Sequence, residues 1–140
     1  KAAKDNELAS LLAQTVTSAD AAICALDFQG GINQIMDFCK RVNGFVTEKE
    51  PWVVAKDPAR QSELEDILYN TAESLRALAV LLHPVMPEVT EKLWKSLGAQ
   101  AVLGDIGNQI ISEVSNWGQL PTGSVVTKTE VLFPRLEEAK

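Results

Sequence analysis

Trp52 and Lys56 are the residues of this chain whose types and spacing could do chemistry, and Pro51 sets them up. They fall in the run Glu50-Pro51-Trp52-Val53-Val54-Ala55-Lys56. An indole offers a flat face and a lysine offers a positive charge. That pairing suits an unpaired nucleic-acid base, which needs a surface to stack on and a cation for its phosphate. At i and i+4 of a short helix the two side chains would share a face. Pro51 suits the first position of such a helix, because its missing N–H would be unpaired there anyway. A tryptophan is also a common core residue, and the sequence leaves both placements of Trp52 open. Pro51 and the polar surround of Glu48, Lys49, Glu50, Lys56 and Asp57 make Trp52 the more exposed candidate. Trp94 reads as core.

Other candidate chemistry is weaker. His83 is the only histidine, precedes Pro84, and has no evident nucleophile partner, so it reads as a packed structural residue. Glu63, Glu65 and Asp66 could be drawn as paired carboxylates. They lie in a first helical turn, however, where acids complement the macrodipole and face solvent. Cys24 and Cys39 form no CxxC pair and have no histidine cluster near them, which argues against zinc. They read as two buried thiols in a reducing cytosol. Gly30-Gly31 lacks the strand–turn–helix context and the lysine of a phosphate loop. No catalytic or metal-ligating constellation emerges.

The elements that would position Trp52 are helical. Leu8, Leu11, Leu12, Val16, Ala19, Ala22, Ile23 and Leu26 have the three-and-four spacing of one helix face, over about 6–26. Asp5 or Asn6 can cap it. Phe28, Ile32, Ile35, Met36, Cys39, Val42, Phe45 and Val46 predict a second helix. Gly30-Gly31 near its start reads as a weak first turn or a close helix contact. Asp57-Pro58 pairs an N-cap with proline at the first helical position. A third helix follows, with its stripe at Leu64, Ile67, Leu68, Thr71, Leu75, Leu78, Ala79 and Leu82. Glu63, Glu65, Asp66, Glu73 and Arg76 fall mostly off that stripe. Pro84 stops it at His83. A fourth helix starts at Pro87, carries Val89, Leu93, Trp94 and Leu97, and ends at Gly98. Beyond Gly98 the pattern weakens, with a hint of one helical turn at Ile106, Ile110 and Ile111. Val125-Val126-Thr127 and Val131-Leu132-Phe133 read as two short extended segments about a turn. The expected fold class is all-α: an antiparallel helix bundle with a short extended C-terminal tail.

Composition fits one domain with a real core, at 140 residues and 46% hydrophobic. No apolar run approaches the roughly 18 to 20 residues needed to span a bilayer. The N-terminus has no signal-peptide pattern. The net charge of −6 argues against a broadly basic nucleic-acid binder, so any such contact should be local.

Three blocks carry a family resemblance. Glu50-Pro51-Trp52-Val53-Val54-Ala55-Lys56 resembles the E-P-W-x-x-A-K segment of the methionyl-tRNA synthetase anticodon-binding domain. Leu81 to Trp94 resembles the L-L-H-P-x-M-P-x-x-T-E-x-x-W block of class I synthetases of the methionine, valine, leucine and isoleucine group. Val131 to Leu136 resembles the L-F-P-R ending of the methionine enzymes. Asn43 matches an asparagine that commonly precedes the first block. The second block alone points only to the superfamily, and the other two choose methionine.

The resemblance implies a site and partners. The tryptophan matching Trp52 stacks on a base of the CAU anticodon. The lysine matching Lys56 lies close to the anticodon loop, and Pro51 shapes the turn between them. The partners would be initiator and elongator methionine tRNA and the catalytic domain of the same chain, against which the tail is expected to pack. ATP and magnesium would serve the parent ligase, located in the cytoplasm, with no active site in this segment. The family's Asn-x-x-x-Arg pair on an upstream helix has no counterpart before residue 26, so the chain is expected to begin inside the domain. The expected domain is 1–140, with a helical core over about 6–98 and an irregular segment and tail over about 99–140. The rival readings are the equivalent domain of another class I synthetase, or a helical protein-interaction module.

Overall fold

The computed structural model describes residues 6–135. The described residues form an all-α architecture: α1 (Glu7–Cys24), α2 (Phe28–Lys49), α3 (Pro51–Val54), α4 (Gln61–Leu82), α5 (Pro87–Ser96), α6 (Ala99–Leu103) and α7 (Ile111–Val114). Short 3-10 turns at Pro58–Arg60 and Ile106–Asn108 complete it. No strand occurs among the described residues.

Asn6 starts α1, its side chain accepting the N–H of Leu8 at 3.1 Å. Leu8, Leu12, Val16 and Ala19 are buried on one face, as the spacing predicts. The stripe ends there. The helix stops at Cys24, and Leu26 takes a left-handed turn (φ 63°) with its side chain in solvent. Asp27 then caps α2 through the N–H of Gly30 at 2.9 Å. This three-residue connection folds α2 back antiparallel along α1.

The two glycines have separate jobs. A Cβ on Gly30 would collide with the capping carboxylate of Asp27. A Cβ on Gly31 would lie 2.9 Å from Ile23 Cγ1 and 3.4 Å from the Ala19 carbonyl. Gly30 thus serves the first turn and Gly31 the close approach of α1 and α2.

The buried face of α2 is Gly31, Ile35, Phe38 and Val42. This differs from the sequence reading in detail. Phe28 and Met36 are exposed, and Phe38 fills the core instead. Cys24 is exposed and Cys39 half-buried, so the expectation of two buried thiols fails for Cys24. It sits in the last turn of α1, past the stripe that faces the core.

Helix α4 runs through the centre and packs on α1, α2, α3, α5 and α7. Asp57 caps the 3-10 turn that leads into it, accepting the Ala59 N–H at 2.9 Å. Its second half, Ala77 to Leu82, is buried throughout. Leu68 is exposed. Glu73 and Arg76, placed mostly off the stripe from sequence, are fully buried and pair at 3.2 Å. Burial of two charges is tolerable only when each also finds hydrogen-bond partners, and here the partners are backbone groups of the last residue of α7 and of the segment after it.

Helix α5 carries Trp94 into the core, with Nε1 donating to the Gly104 carbonyl at 2.9 Å. His83 is structural as expected: its Nδ1 lies 2.8 Å from the Thr90 hydroxyl, which also bonds back to the Met86 carbonyl. Gly98 ends the helix in the left-handed conformation (φ 73°). Beyond it, α6, a 3-10 turn and α7 deliver Ala99, Ile106 and Val114 to the core, and the irregular segment after α7 delivers Leu120. The two tail segments read as strands do not pair. Instead the Thr127 N–H bonds to the Ser96 carbonyl at 2.9 Å, and the Ser96 hydroxyl returns to the Thr127 carbonyl. Asp5 and Leu136 lie outside the described residues.

Candidate nucleic-acid interface

Pro51 forces the break that creates the site. A residue before proline is driven out of right-handed helical geometry, so α2 cannot continue through Glu50. Glu50 adopts φ 44°, ψ 58°, and its N–H still closes on the Val46 carbonyl at 3.1 Å. A left-handed non-glycine costs about 1–2 kcal/mol, so the surrounding packing must hold it. Pro51 then begins α3 without wasting a donor.

The single turn of α3 sorts its side chains sharply. Val54 is 1% exposed and anchors the turn against α4. Trp52 is 54% exposed and Val53 is 42% exposed. The open placement is therefore the one adopted, and the core placement of Trp52 is not. An indole this open is free to stack. Holding it on a short turn pinned by proline and a buried valine lowers the ordering cost of binding.

One expectation needs correction. Trp52 and Lys56 do not share a face of one α-helix. The helix ends at Val54, and the chain tightens: the Lys56 N–H bonds to the Val53 carbonyl at 3.1 Å, three residues back. The next N–H, on Asp57, bonds to Val54 at 3.1 Å in the same way. Lys56 stays exposed in this turn, before Asp57-Pro58 starts the next element. Pro51, Trp52 and Lys56 remain on one short segment. Asn43 is exposed on α2, about 9 Å back along the axis from the last residue of that helix. Its carbonyl accepts the Thr47 hydroxyl at 3.0 Å.

The charges around the turn divide into paired and free. Arg60 grips Glu63 through two bonds of 2.7 and 2.8 Å. Those hydrogen bonds hold the Glu63 carboxyl below its usual value and raise the guanidinium. Arg41 is likewise committed, bridging Glu7 of α1 and Glu48 of α2 at 3.0 and 3.1 Å. This clamp fixes the end of α2 from which the turn departs. It was missed from sequence, although Arg41 and Glu48, seven apart on a helix, had to share a face. Among the described residues, Lys49 and Lys56 have no acidic partner within 4.0 Å. Both are exposed, just before and just after Trp52. Ammonium groups without a carboxylate partner remain available to a phosphate. No group of three or more metal-ligating side chains occurs among the described residues.

The described residues thus form an all-α bundle that presents an open tryptophan between two exposed lysines with no ion-pair partner. Comparison places it in a class. The family described as the anticodon-binding domain of tRNA ligase matches residues 5–128, and the chain belongs to that family. Within it, the chain is similar to methionine–tRNA ligases. It is 54% identical to that of Streptomyces coelicolor over 130 residues, covering 91% of this chain and 24% of the relative. It is 36% identical to that of Bacillus subtilis over 133 residues, covering 95% of this chain and 19% of the relative. The Enterococcus faecalis enzyme is 34% identical over 134 residues, with shares of 95% and 19%. The chain thus spans a quarter or less of the length of these relatives.

Proposed function

We propose that this chain selects methionine tRNA by its CAU anticodon, as the anticodon-binding part of a methionine–tRNA ligase. The observation that carries the reading is the exposure of Trp52 on a turn fixed by Pro51 and Val54. Trp52 stacks on one unpaired anticodon base. Lys56 neutralises a neighbouring phosphate, and Pro51 sets the angle at which the indole is presented. Asn43 is a secondary contact, reached only if the RNA loop extends back along α2. Stacking is tolerant of base identity, so Trp52 supplies affinity, and the choice of CAU needs hydrogen bonds from other groups.

Initiator and elongator methionine tRNA are the substrates of this reading. The ligase reaction, with ATP and magnesium, belongs to a catalytic domain to which the chain is joined. The exposed tail residues Val131 and Phe133 support packing of the tail on that domain. The name of the relatives supports methionine over the other class I amino acids. The test is binding of an anticodon stem-loop RNA, carrying either CAU or a scrambled loop, because unpaired loop bases are where sequence is read. Preference for CAU is the expected result. Equal binding of both loops would assign RNA affinity without selection, and no binding of either would refute the reading.

A further inference from the structure

A second cationic feature lies away from Trp52. Helix α5 and the extended tail border an open groove of about 310 Å³ lined by Lys92, Lys95, Ser96, Thr127, Lys128 and Thr129. Its two walls are fixed together by the reciprocal bonds between Ser96 and Thr127. Lys92 and Lys95 come from one wall and Lys128 from the other. In a chain of net charge −6, three lysines from two elements meet across one groove. Acidic neighbours are present: Glu91 takes Lys95 at 2.7 Å, and Glu88 and Glu91 line the adjoining hollow with Lys92 and Lys95. Among the described residues, Lys92 and Lys128 have no acidic partner within 4.0 Å.

We infer that this groove is a second RNA contact, holding a phosphodiester of the bound tRNA's backbone. Lysine ammoniums beside serine and threonine hydroxyls are the donor set that phosphate oxygens take. The inference rests on the tRNA reading above. It adds what that reading lacks: a source of attraction for an acidic domain whose stacking site carries few free cations. A contact of this kind positions the RNA and carries no sequence information.

The test is the salt dependence of binding of a methionine tRNA transcript to the protein. Replacing Lys92 and Lys128 by Gln should weaken binding to CAU and scrambled loops alike. It should also make the slope of log K against log salt shallower by about 1, for the one phosphate that is no longer neutralised. Arg at both positions should restore the slope, which a merely unfolded Gln variant would not predict. Lys40→Gln is the control, since Lys40 is exposed and already paired with Asp37. An unchanged slope in the Gln variant, or an equal weakening from Lys40→Gln, overturns the groove as a site while leaving Trp52 untouched. So does an acidic peptide that binds the native protein and loses binding in the Gln variant whose RNA slope is intact. Absence of any RNA binding by the native protein overturns the groove and the tRNA reading together.

Discussion

Oε1 of Glu73 on α4 accepts the backbone N–H of Leu120 at 2.6 Å, 47 residues further along the chain. Oε2 accepts the Gly118 N–H at 2.9 Å and faces Arg76 at 3.2 Å. Arg76 in turn donates to the carbonyls of Val114 and Asn116, both at 3.1 Å. The end of α7 and the irregular segment after it leave these backbone groups without helical partners, and a buried ion pair on α4 satisfies them instead. Burial pulls Arg76 below its ordinary value, and Glu73 opposes that pull.

Glu73→Ala should therefore be severely destabilising, by about 3–5 kcal/mol, because Arg76 is left buried and uncompensated. Adding Arg76→Leu should not restore stability. The backbone groups of Val114, Asn116, Gly118 and Leu120 would still be orphaned, each at a cost of about 1–3 kcal/mol. Urea denaturation of the single and double variants checks this. A double variant as stable as the native protein would refute the tethering role.

Tyr69 links the same segment, its hydroxyl donating to the Leu120 carbonyl at 2.7 Å. Burial first, and the Glu73 charge second, raise its pKa above the ordinary 10.0. The sign follows: the unfolded chain loses this proton first. The contribution of Tyr69 is complete below 10.0 and declines as pH rises above it toward the folded value. Tyr69→Phe should remove that alkaline decline and cost about 1 kcal/mol at neutral pH for the missing bond. Thermal melts between neutral and strongly alkaline pH read both effects.

Gly31 tests the α1–α2 contact. Alanine there gains about 1 kcal/mol of helix propensity, offset by displacing Ile23 Cγ1, 2.9 Å from the new Cβ. Gly31→Ala should melt near the native temperature. Gly31→Leu must push against Ala19 as well and should lose about 1–3 kcal/mol. Equal melting temperatures for Leu and Ala would show that the helices are not closely packed there.

Much of the bundle was legible because apolar spacing on long amphipathic helices reports the buried face directly. Leu8, Leu12, Val16 and Ala19 are the clear case. Helix stops were legible too, since Pro84 and Gly98 act through local backbone geometry. What stayed hidden depends on distant partners. Glu73 and Arg76 look like a solvated pair until the backbone of residues 114–120 folds over them. Phe38 replaces Phe28 and Met36 in the core because the α1–α2 approach at Gly31 sets the rotation of α2. At the candidate site, Pro51 foretold the turn, and the exposure of Trp52 followed its polar surround. The end of the helix before Lys56 did not show, because nothing in Val53-Val54-Ala55 marks it. The groove lysines lie on separate elements, with no local signal to join Lys92 to Lys128.

The proposed function stands or falls on Trp52 as a stacking surface, since its indole is open to solvent. The direct measurement is the affinity of Trp52→Ala for a CAU anticodon stem-loop, with stability measured alongside. The expected result is binding weaker by roughly 5- to 150-fold, equivalent to about 1–3 kcal/mol. Unfolding free energy should change by only about 0.5 kcal/mol, as for an exposed position. Unchanged RNA affinity, or a variant that loses several kcal/mol of stability, would contradict the account.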